Sequence, residues 1–140
     1  MNAIRRAAGL CLLLVACGGS LSVLHRGKHT GEGAARVDVE NKSGTRVEQL
    51  YVARTEAVNR ARASGVQPGS SEDAAVWGDD RLDNAGLGEG QTFRDLVLPE
   101  GRYDVLVVDH DHREQLVKNL RLDSGRKYVL ELGTDWAMAR

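Results

Sequence analysis

Short stretches in which apolar and polar residues alternate, separated by turn residues, constrain this chain more than any other feature. The clearest of them span residues 91–98, 102–109, 114–122 and 127–132. Alternation with a period of two places successive side chains on opposite faces of a β-strand. Turn signals at spacings of roughly ten residues are typical of antiparallel sandwiches. We therefore predict a mostly β fold, a single antiparallel β-sandwich of about six or seven strands.

The first half of the domain predicts a hairpin followed by one short helix. Val37 and Val39 alternate with polar residues before an Asn-Lys-Ser-Gly turn, and residues 46–53 continue as a second strand. Turn chemistry of this kind favours pairing of the two strands. Residues 55–63 favour a short exposed helix that Thr55 caps. A polar loop follows, so the irregular excursion extends over 55–75, and a connection of this length is either functional or mobile.

Length and charge narrow the class of protein. The chain has 140 residues, a formal net charge of −1, 41% hydrophobic residues and 28% charged residues. The length fits one ordinary domain, and the composition is that of a globular chain. A general nucleic-acid binder needs a basic excess to displace counterions, so we expect no nucleic-acid partner.

Residues 1–16 have the pattern of a targeting signal rather than part of the fold. Arg5 and Arg6 precede an apolar run over 7–16, about half of the roughly 20 residues that a membrane-spanning helix needs. Residues 14–17, Leu-Val-Ala-Cys, followed by Gly-Gly-Ser, resemble the lipobox of bacterial lipoproteins. The resemblance implies cleavage before Cys17 and lipidation of its sulfur.

The same resemblance implies a location. Gly18 follows the cysteine, which in that family is associated with the outer membrane of Gram-negative bacteria. We therefore expect a protein of the cell envelope, anchored to a membrane by its N-terminal lipid. The alternative is ordinary cleavage and release, although Leu14 does not complete the small-residue pattern of that cleavage site.

The chain has two cysteines, Cys11 and Cys17. The first lies in the removed segment and the second would carry lipid, so the mature body has no disulfide and no cysteine nucleophile. Residues 17–35 are predicted to be a flexible tether, and residues 36–140 the sandwich domain. His25 and His29 have the spacing of a helical metal pair, but the nearby glycines favour a solvated linker.

The C-terminal half carries a second resemblance. Residues 98–105, Leu-Pro-Glu-Gly-Arg-Tyr-Asp-Val, are similar to the Pro-x-Gly-x-Tyr-x-Val hairpin entry of small transthyretin-like or carboxypeptidase-regulatory-like modules. The Asn-Lys-Ser-Gly turn at 41–44 and Trp-Gly-Asp-Asp at 77–80 resemble uncharacterised bacterial β-sandwich domains. These resemblances imply a sandwich that serves as a binding or scaffold domain without catalysis.

Residues 109–112, Asp-His-Asp-His, offer metal-ligand chemistry. In an extended strand His110 and His112 share one face and supply half of a zinc or copper site. The alternative is a polar hairpin turn in which the aspartates bond to the local backbone.

The segment after Trp77 concentrates oxygen ligands of the kind that Ca²⁺ prefers: Asp79, Asp80, Asp83 and Asn84. Their spacing does not follow the EF-hand pattern, and solvated acids capping a turn are the alternative. Trp77 is either a core residue or, if exposed, a binding anchor. We take Trp77, Asp79 and Asp80 as a candidate binding surface.

The catalytic motifs of serine hydrolases, zinc proteases and P-loop enzymes are absent from the sequence. We therefore predict a protein without enzymatic activity or cofactor, which holds an envelope protein or a polysaccharide. The alternative is an envelope metal-binding protein that uses His110, His112 and nearby acids. The loop acids also permit a paired-carboxylate hydrolase, but their spacing predicts no substrate.

Overall fold

The chain passes back and forth between two β-sheets. A computed structural model of the protein describes residues 20–65 and 74–136. Within these ranges lie two helices, α1 (Thr55–Ala63) and α2 (Ala74–Trp77). The same ranges hold seven strands: β1 (Val23–His29), β2 (Ala35–Asn41), β3 (Val47–Arg54), β4 (Thr92–Leu98), β5 (Gly101–Asp109), β6 (Glu114–Leu122) and β7 (Arg126–Leu132).

The strands form a four-stranded sheet A and a three-stranded sheet B. Sheet A has the order β1-β7-β2-β4, and sheet B has the order β3-β5-β6. The predicted mostly β sandwich, its strand number and its short helix are therefore confirmed. One detail differs, because β2 and β7 pair in parallel while the other neighbours are antiparallel.

The main core fills the space between the two sheets. Tyr103, Val105 and Val107 enter it from alternate positions of β5. Strand β7 contributes Tyr128, Leu130 and Leu132 in the same way. Side chains of this size each contribute roughly 1.5–3 kcal/mol when they leave water. The alternation in the sequence thus reports the buried face of these strands correctly.

A second, smaller cluster covers the outer face of sheet B. Val58 of α1 and Trp77 of α2 pack there against Leu106 and Val108 of β5. Helix α1 has the predicted bounds, but Thr55 does not cap it, because Arg54 occupies the capping position and makes no side-chain cap. The Thr55 hydroxyl donates instead to Asp104 at 2.7 Å, which fixes the helix to the sheet.

Strand β1 lies in the segment predicted to be a flexible tether, so that interpretation of residues 17–35 is corrected for the described residues. The strand pairs with β7 in antiparallel register, and Leu24 packs against the main core. His25 lies 3.3 Å from Glu131 of β7 rather than in a solvated linker. The physical reason is that β7 would otherwise leave its backbone hydrogen-bonding groups unpaired at a sheet edge.

The predicted hairpin between β2 and β3 is also wrong. These strands lie in different sheets, since β2 pairs with β4 and β7 while β3 pairs with β5. The turn at 41–44 is real, but it carries the chain across the sandwich. The Asn41 side chain donates to the carbonyl oxygens of Thr45 and Leu87 at this turn, which is where the chain leaves sheet A.

Candidate functional site

Five segments meet at one end of the sandwich, which we call the N-terminal end. The Ser20 N–H donates to Thr134 Oγ1 at 2.8 Å, and the Trp136 indole donates to the Ser43 carbonyl at 3.1 Å. Thr45 Oγ1 lies 2.9 Å from Nδ1 of His110. The Gly44 N–H donates to Glu89 Oε2 at 2.8 Å, which adds the fifth segment. We define the N-terminal end as residues 20–22, 42–46, 86–91, 110–113 and 133–136.

Asn41 organises two of these segments although it carries no charge. It is completely buried, and its amide donates to the carbonyl oxygens of Thr45 and Leu87, both at 2.9 Å. Its Oδ1 accepts from the Ser43 N–H at 3.1 Å. The sequence indicates the turn but not that the Asn41 side chain joins its two segments. The available signal was an asparagine two residues before a serine, a pattern typical of side-chain-closed turns.

The turn between β5 and β6 is closed by an ion pair. The Asp109 side chain is fully buried and receives Nε and Nη2 of Arg113 at 2.8 and 2.7 Å. Its Oδ1 also accepts the backbone N–H groups of Asp111 and Arg113 at 3.0 and 2.8 Å. The Arg113 guanidinium lies over the Trp136 ring, 5.8 Å from its centre. Both guanidinium nitrogens meet the same oxygen, Oδ2, so each oxygen of the buried carboxylate has two donors from the turn. Charge-assisted hydrogen bonds of this kind are stronger than neutral ones and stabilise the turn.

The predicted metal pair does not form in an extended strand. His110 lies in the turn, and His112 has a positive φ of 61°, so the two residues do not share a strand face. The group whose ligand atoms lie within 4.8 Å of one another is instead Asp109, His110 and Asp111. The Arg113 guanidinium already donates to Oδ2 of Asp109, and two backbone N–H groups donate to Oδ1, so a metal ion at Asp109 would compete with these bonds.

Trp77 is not exposed, which corrects its use as a binding anchor. Its residue exposure is 2%, and it packs in the cluster under α1. The indole N–H has no acceptor among the described residues. Burial of a large indole stabilises the helices on sheet B, as the alternative interpretation of Trp77 expected.

Asp80 likewise serves the loop rather than a ligand. Its Oδ1 accepts the backbone N–H groups of Leu50 and Leu82 at 2.9 and 3.0 Å, and its Oδ2 accepts that of Asn84 at 3.2 Å. These bonds tie the loop to the edge of β3. Asp79 is exposed beside it. Of the three proposed surface residues, Asp79 is thus the one whose side chain is free to meet solvent.

The outer face of sheet A, called the open face because both described helices pack on sheet B, carries charged residues that the sequence did not single out. Asp38 lies at its centre, with Lys127 Nζ at 3.3 Å and Arg94 Nη1 at 3.9 Å. Its Oδ1 accepts the Asp95 N–H at 3.0 Å. Burial raises the pKa of the Asp38 carboxyl, but the Asp95 hydrogen bond and the two cations outweigh this and hold the pKa below its ordinary value.

Cys17 and the residues around it lie outside the described part of the chain. Among the described residues, no helix has the length and apolar character needed to cross a bilayer. Comparison with family models, with curated proteins and with solved structures finds nothing that matches this chain.

Proposed function

We propose that this protein is anchored to the cell envelope by a lipid on Cys17, in the outer membrane of a Gram-negative bacterium. The observation that carries the proposal is the sequence of residues 14–17, preceded by two arginines and a short apolar run. Two or three acyl chains on one residue bind a bilayer far more tightly than a single chain does, because each buried CH₂ contributes about 0.8 kcal/mol.

We further propose that the sandwich is a binding or scaffold domain without catalysis. The buried carboxylates of Asp38, Asp104 and Asp109 each accept backbone N–H groups, so their oxygens hold the fold together. A general base or nucleophile must instead present a free atom to a substrate. The occupied oxygens support a structural role for these acids.

The open face of sheet A is the surface best suited to a polar partner. Arg36 and Arg94 have side chains that are 53% and 72% exposed, and they alternate there with Asp95 and Glu40. An envelope protein or a polysaccharide, with its hydroxyl groups, fits such a face.

Mass spectrometry of the protein extracted from its own host membrane tests the anchor. The expected mass is that of residues 17–140 plus acyl chains. Cys17→Ser should abolish the added mass and release the protein, whereas the matched variant Cys11→Ser should leave both unchanged. A mature chain that begins at another residue and carries no lipid would overturn the proposal.

The alternative of an envelope metal-binding protein has its own test. Asp111 and His110 are exposed and lie 3.4 Å apart, so they supply two ligands without rearrangement. Two ligands are fewer than the three or four of most zinc sites. We expect purified protein to contain no stoichiometric metal. A bound metal that disappears in the His110→Ala, His112→Ala double variant would establish the alternative.

A further inference from the structure

The first described residues are fixed to the sandwich only a short way along the chain from Cys17. Besides its bond to Thr134, Ser20 accepts the Asp135 N–H on its carbonyl at 3.2 Å. Residues 18 and 19 alone separate Ser20 from Cys17 in the sequence. Because consecutive Cα atoms are about 3.8 Å apart, these three peptide links span at most about 11 Å. A lipid on Cys17 would therefore keep Ser20 close to the bilayer.

Residues 20–22 lie very close to the backbone of Gly133. A Cβ added at Gly133 would lie 2.6 Å from the carbonyl carbon and oxygen of Leu21 and would overlap the Ser20 carbonyl oxygen. The Gly133 N–H also donates to Ser22 Oγ at 3.0 Å. The absence of a side chain at Gly133 thus lets residues 20–22 lie against the end of β7. The described chain is thus in contact with the rest of the sandwich from Ser20 onward.

Apolar side chains are exposed next to this point. Three large apolar residues of the described ranges are strongly exposed, and two of them lie here: Leu21 (72%) in this segment and Val23 (46%) at the start of β1. Trp136 lies half-buried in the same end. Tryptophan is enriched at the boundary between lipid and water, where its ring is apolar and its N–H stays polar. An exposed leucine beside a lipid anchor has the chemistry to enter that boundary.

Each of the three lysine and arginine side chains at this end lies beside a protein acid, including Arg46, whose Nε is 3.2 Å from Glu48. Lys42 Nζ lies 3.6 Å from both Glu40 and Glu131, and Arg113 binds Asp109. Attraction to anionic lipid headgroups needs cations available to the membrane. The apolar contact is therefore the stronger candidate, and it should form on a bilayer without net charge.

We propose that the N-terminal end of the sandwich lies on the bilayer surface with Leu21 in the lipid–water interface. The inference rests on the proposed lipidation of Cys17. Strand β5 ends at this end and begins at the other, so the turn at 99–101 points away from the membrane. The lipid then orients the domain as well as retaining it.

Fluorescence quenching on vesicles tests this orientation. The full lipidated chain is purified in detergent, its acyl mass is verified, and it is placed in neutral phosphatidylcholine vesicles with a nitroxide on the headgroup. The chain has two tryptophans, so Trp77→Phe leaves Trp136 as the reporter and Trp136→Phe leaves Trp77. We expect emission from Trp136 to fall, because an indole at the lipid–water interface lies at the depth of the headgroup nitroxide. Emission from the buried Trp77 should not change.

A second pair of variants separates contact from mere proximity. Leu21→Asp should remove most of the Trp136 quenching, because a charge disfavours insertion. Val97→Asp is the matched control: Val97 is also exposed, at 50%, but pairs with Arg36 near the opposite end of sheet A. Should Trp77→Phe fail to fold, amide exchange provides the second measurement. Slower exchange over residues 133–136 in the lipidated protein on vesicles than in the unlipidated Cys17→Ser protein, with no difference at residues 100 and 101, would report the same contact.

The outcomes are distinct for the anchor and for the orientation. Equal quenching of Trp136 and Trp77 in protein that carries acyl chains would overturn the orientation and leave the anchor intact. Unchanged quenching in Leu21→Asp would overturn the insertion of Leu21. A purified protein without acyl mass would overturn the proposed function, and the membrane contact with it.

Discussion

Asp38 in sheet A and Asp104 in sheet B occupy matching positions in two matching irregularities. Each lies opposite two residues of the neighbouring strand, where the register shifts by one. The second of those two residues has a positive φ, 59° at Asp95 and 58° at Asn119. Its N–H donates to the aspartate, at 3.0 Å in sheet A and 2.8 Å in sheet B. A bulge needs an acceptor for the N–H that leaves the ladder, and both sheets use a carboxylate.

The surroundings of the two aspartates differ. Asp104 lies beneath the start of α1, with the Thr55 hydroxyl as its other donor. Asp38 lies on the open face and is approached by the cations Lys127 and Arg94. Both carboxylates are buried, Asp104 at 2% and Asp38 at 5% exposure, so the difference lies in their partners. Asp104 has two neutral donors, whereas Asp38 also has two exposed cations.

Removing the Asp104 carboxylate, which lies beneath the start of α1, should have the largest effect on stability. Asp104→Ala leaves the Thr55 hydroxyl and the Asn119 N–H without their acceptor in a place that water reaches poorly. We expect a loss of about 2–3 kcal/mol in the free energy of unfolding. Urea unfolding followed by tryptophan fluorescence measures it. Asp104→Asn keeps one oxygen acceptor and should lose less, and equal losses in the two variants would contradict this account.

Asp38→Ala should have a smaller effect although it removes the same kind of bond. The side chains of Arg94 and Lys127 are 72% and 42% exposed, so water solvates both cations once the carboxylate is gone. Exposed ion pairs contribute little to stability. We expect a loss of about 1 kcal/mol, measured by the same unfolding experiment. A loss as large as that of Asp104→Ala would show that the face is less open to solvent than its exposures indicate.

The acid dependence of stability should report Asp38. Its pKa is lowered in the folded protein, so the stabilisation is complete above the unfolded value of about 4 and is lost as pH falls through the folded value. Asp38→Asn should flatten this part of the stability curve. Lys127→Met should move the loss to higher pH, because one of the groups that lower the pKa is removed. Unfolding curves between pH 6 and about 2 test both. No change in either variant would contradict the assignment.

Sequence reasoning finds the strands but not these bulges. Strands 101–109 and 114–122 follow from alternation, since burial of one face imposes a period of two. Asp38 and Asp104 look like ordinary outward polar residues, and the N–H groups that they accept lie 57 and 15 residues further along the chain. The parallel pairing of β2 with β7 depends on similar long-range contacts. Trp77 could not be assigned from the sequence for a similar reason. A tryptophan suits both a core and a binding surface, and only its packing against α1 and sheet B shows that it is a core residue.

The smallest expected effect concerns Asp95 and Asn119, the positive-φ residues of the two bulges. Unlike the effects above, it is an expected gain in stability for one substitution at each site. Glycine adopts a positive φ without the steric cost that a Cβ imposes, which for other residues is about 1–2 kcal/mol and less for Asp and Asn. Asp95→Gly should therefore stabilise the protein by about 0.5 kcal/mol, after the entropy that glycine loses on folding. Asn119→Gly should gain less, because Asn119 Oδ1 accepts from Arg102 at 3.1 Å and that bond disappears. Alanine at either site should destabilise the protein, since it keeps the Cβ and has no polar group to compensate.

Thermal unfolding of the four variants ranks their stabilities. A gain for alanine equal to that for glycine would show that the backbone at the bulge relaxes to a negative φ. In that event the carboxylates of Asp38 and Asp104 would not be what holds the two bulges in place.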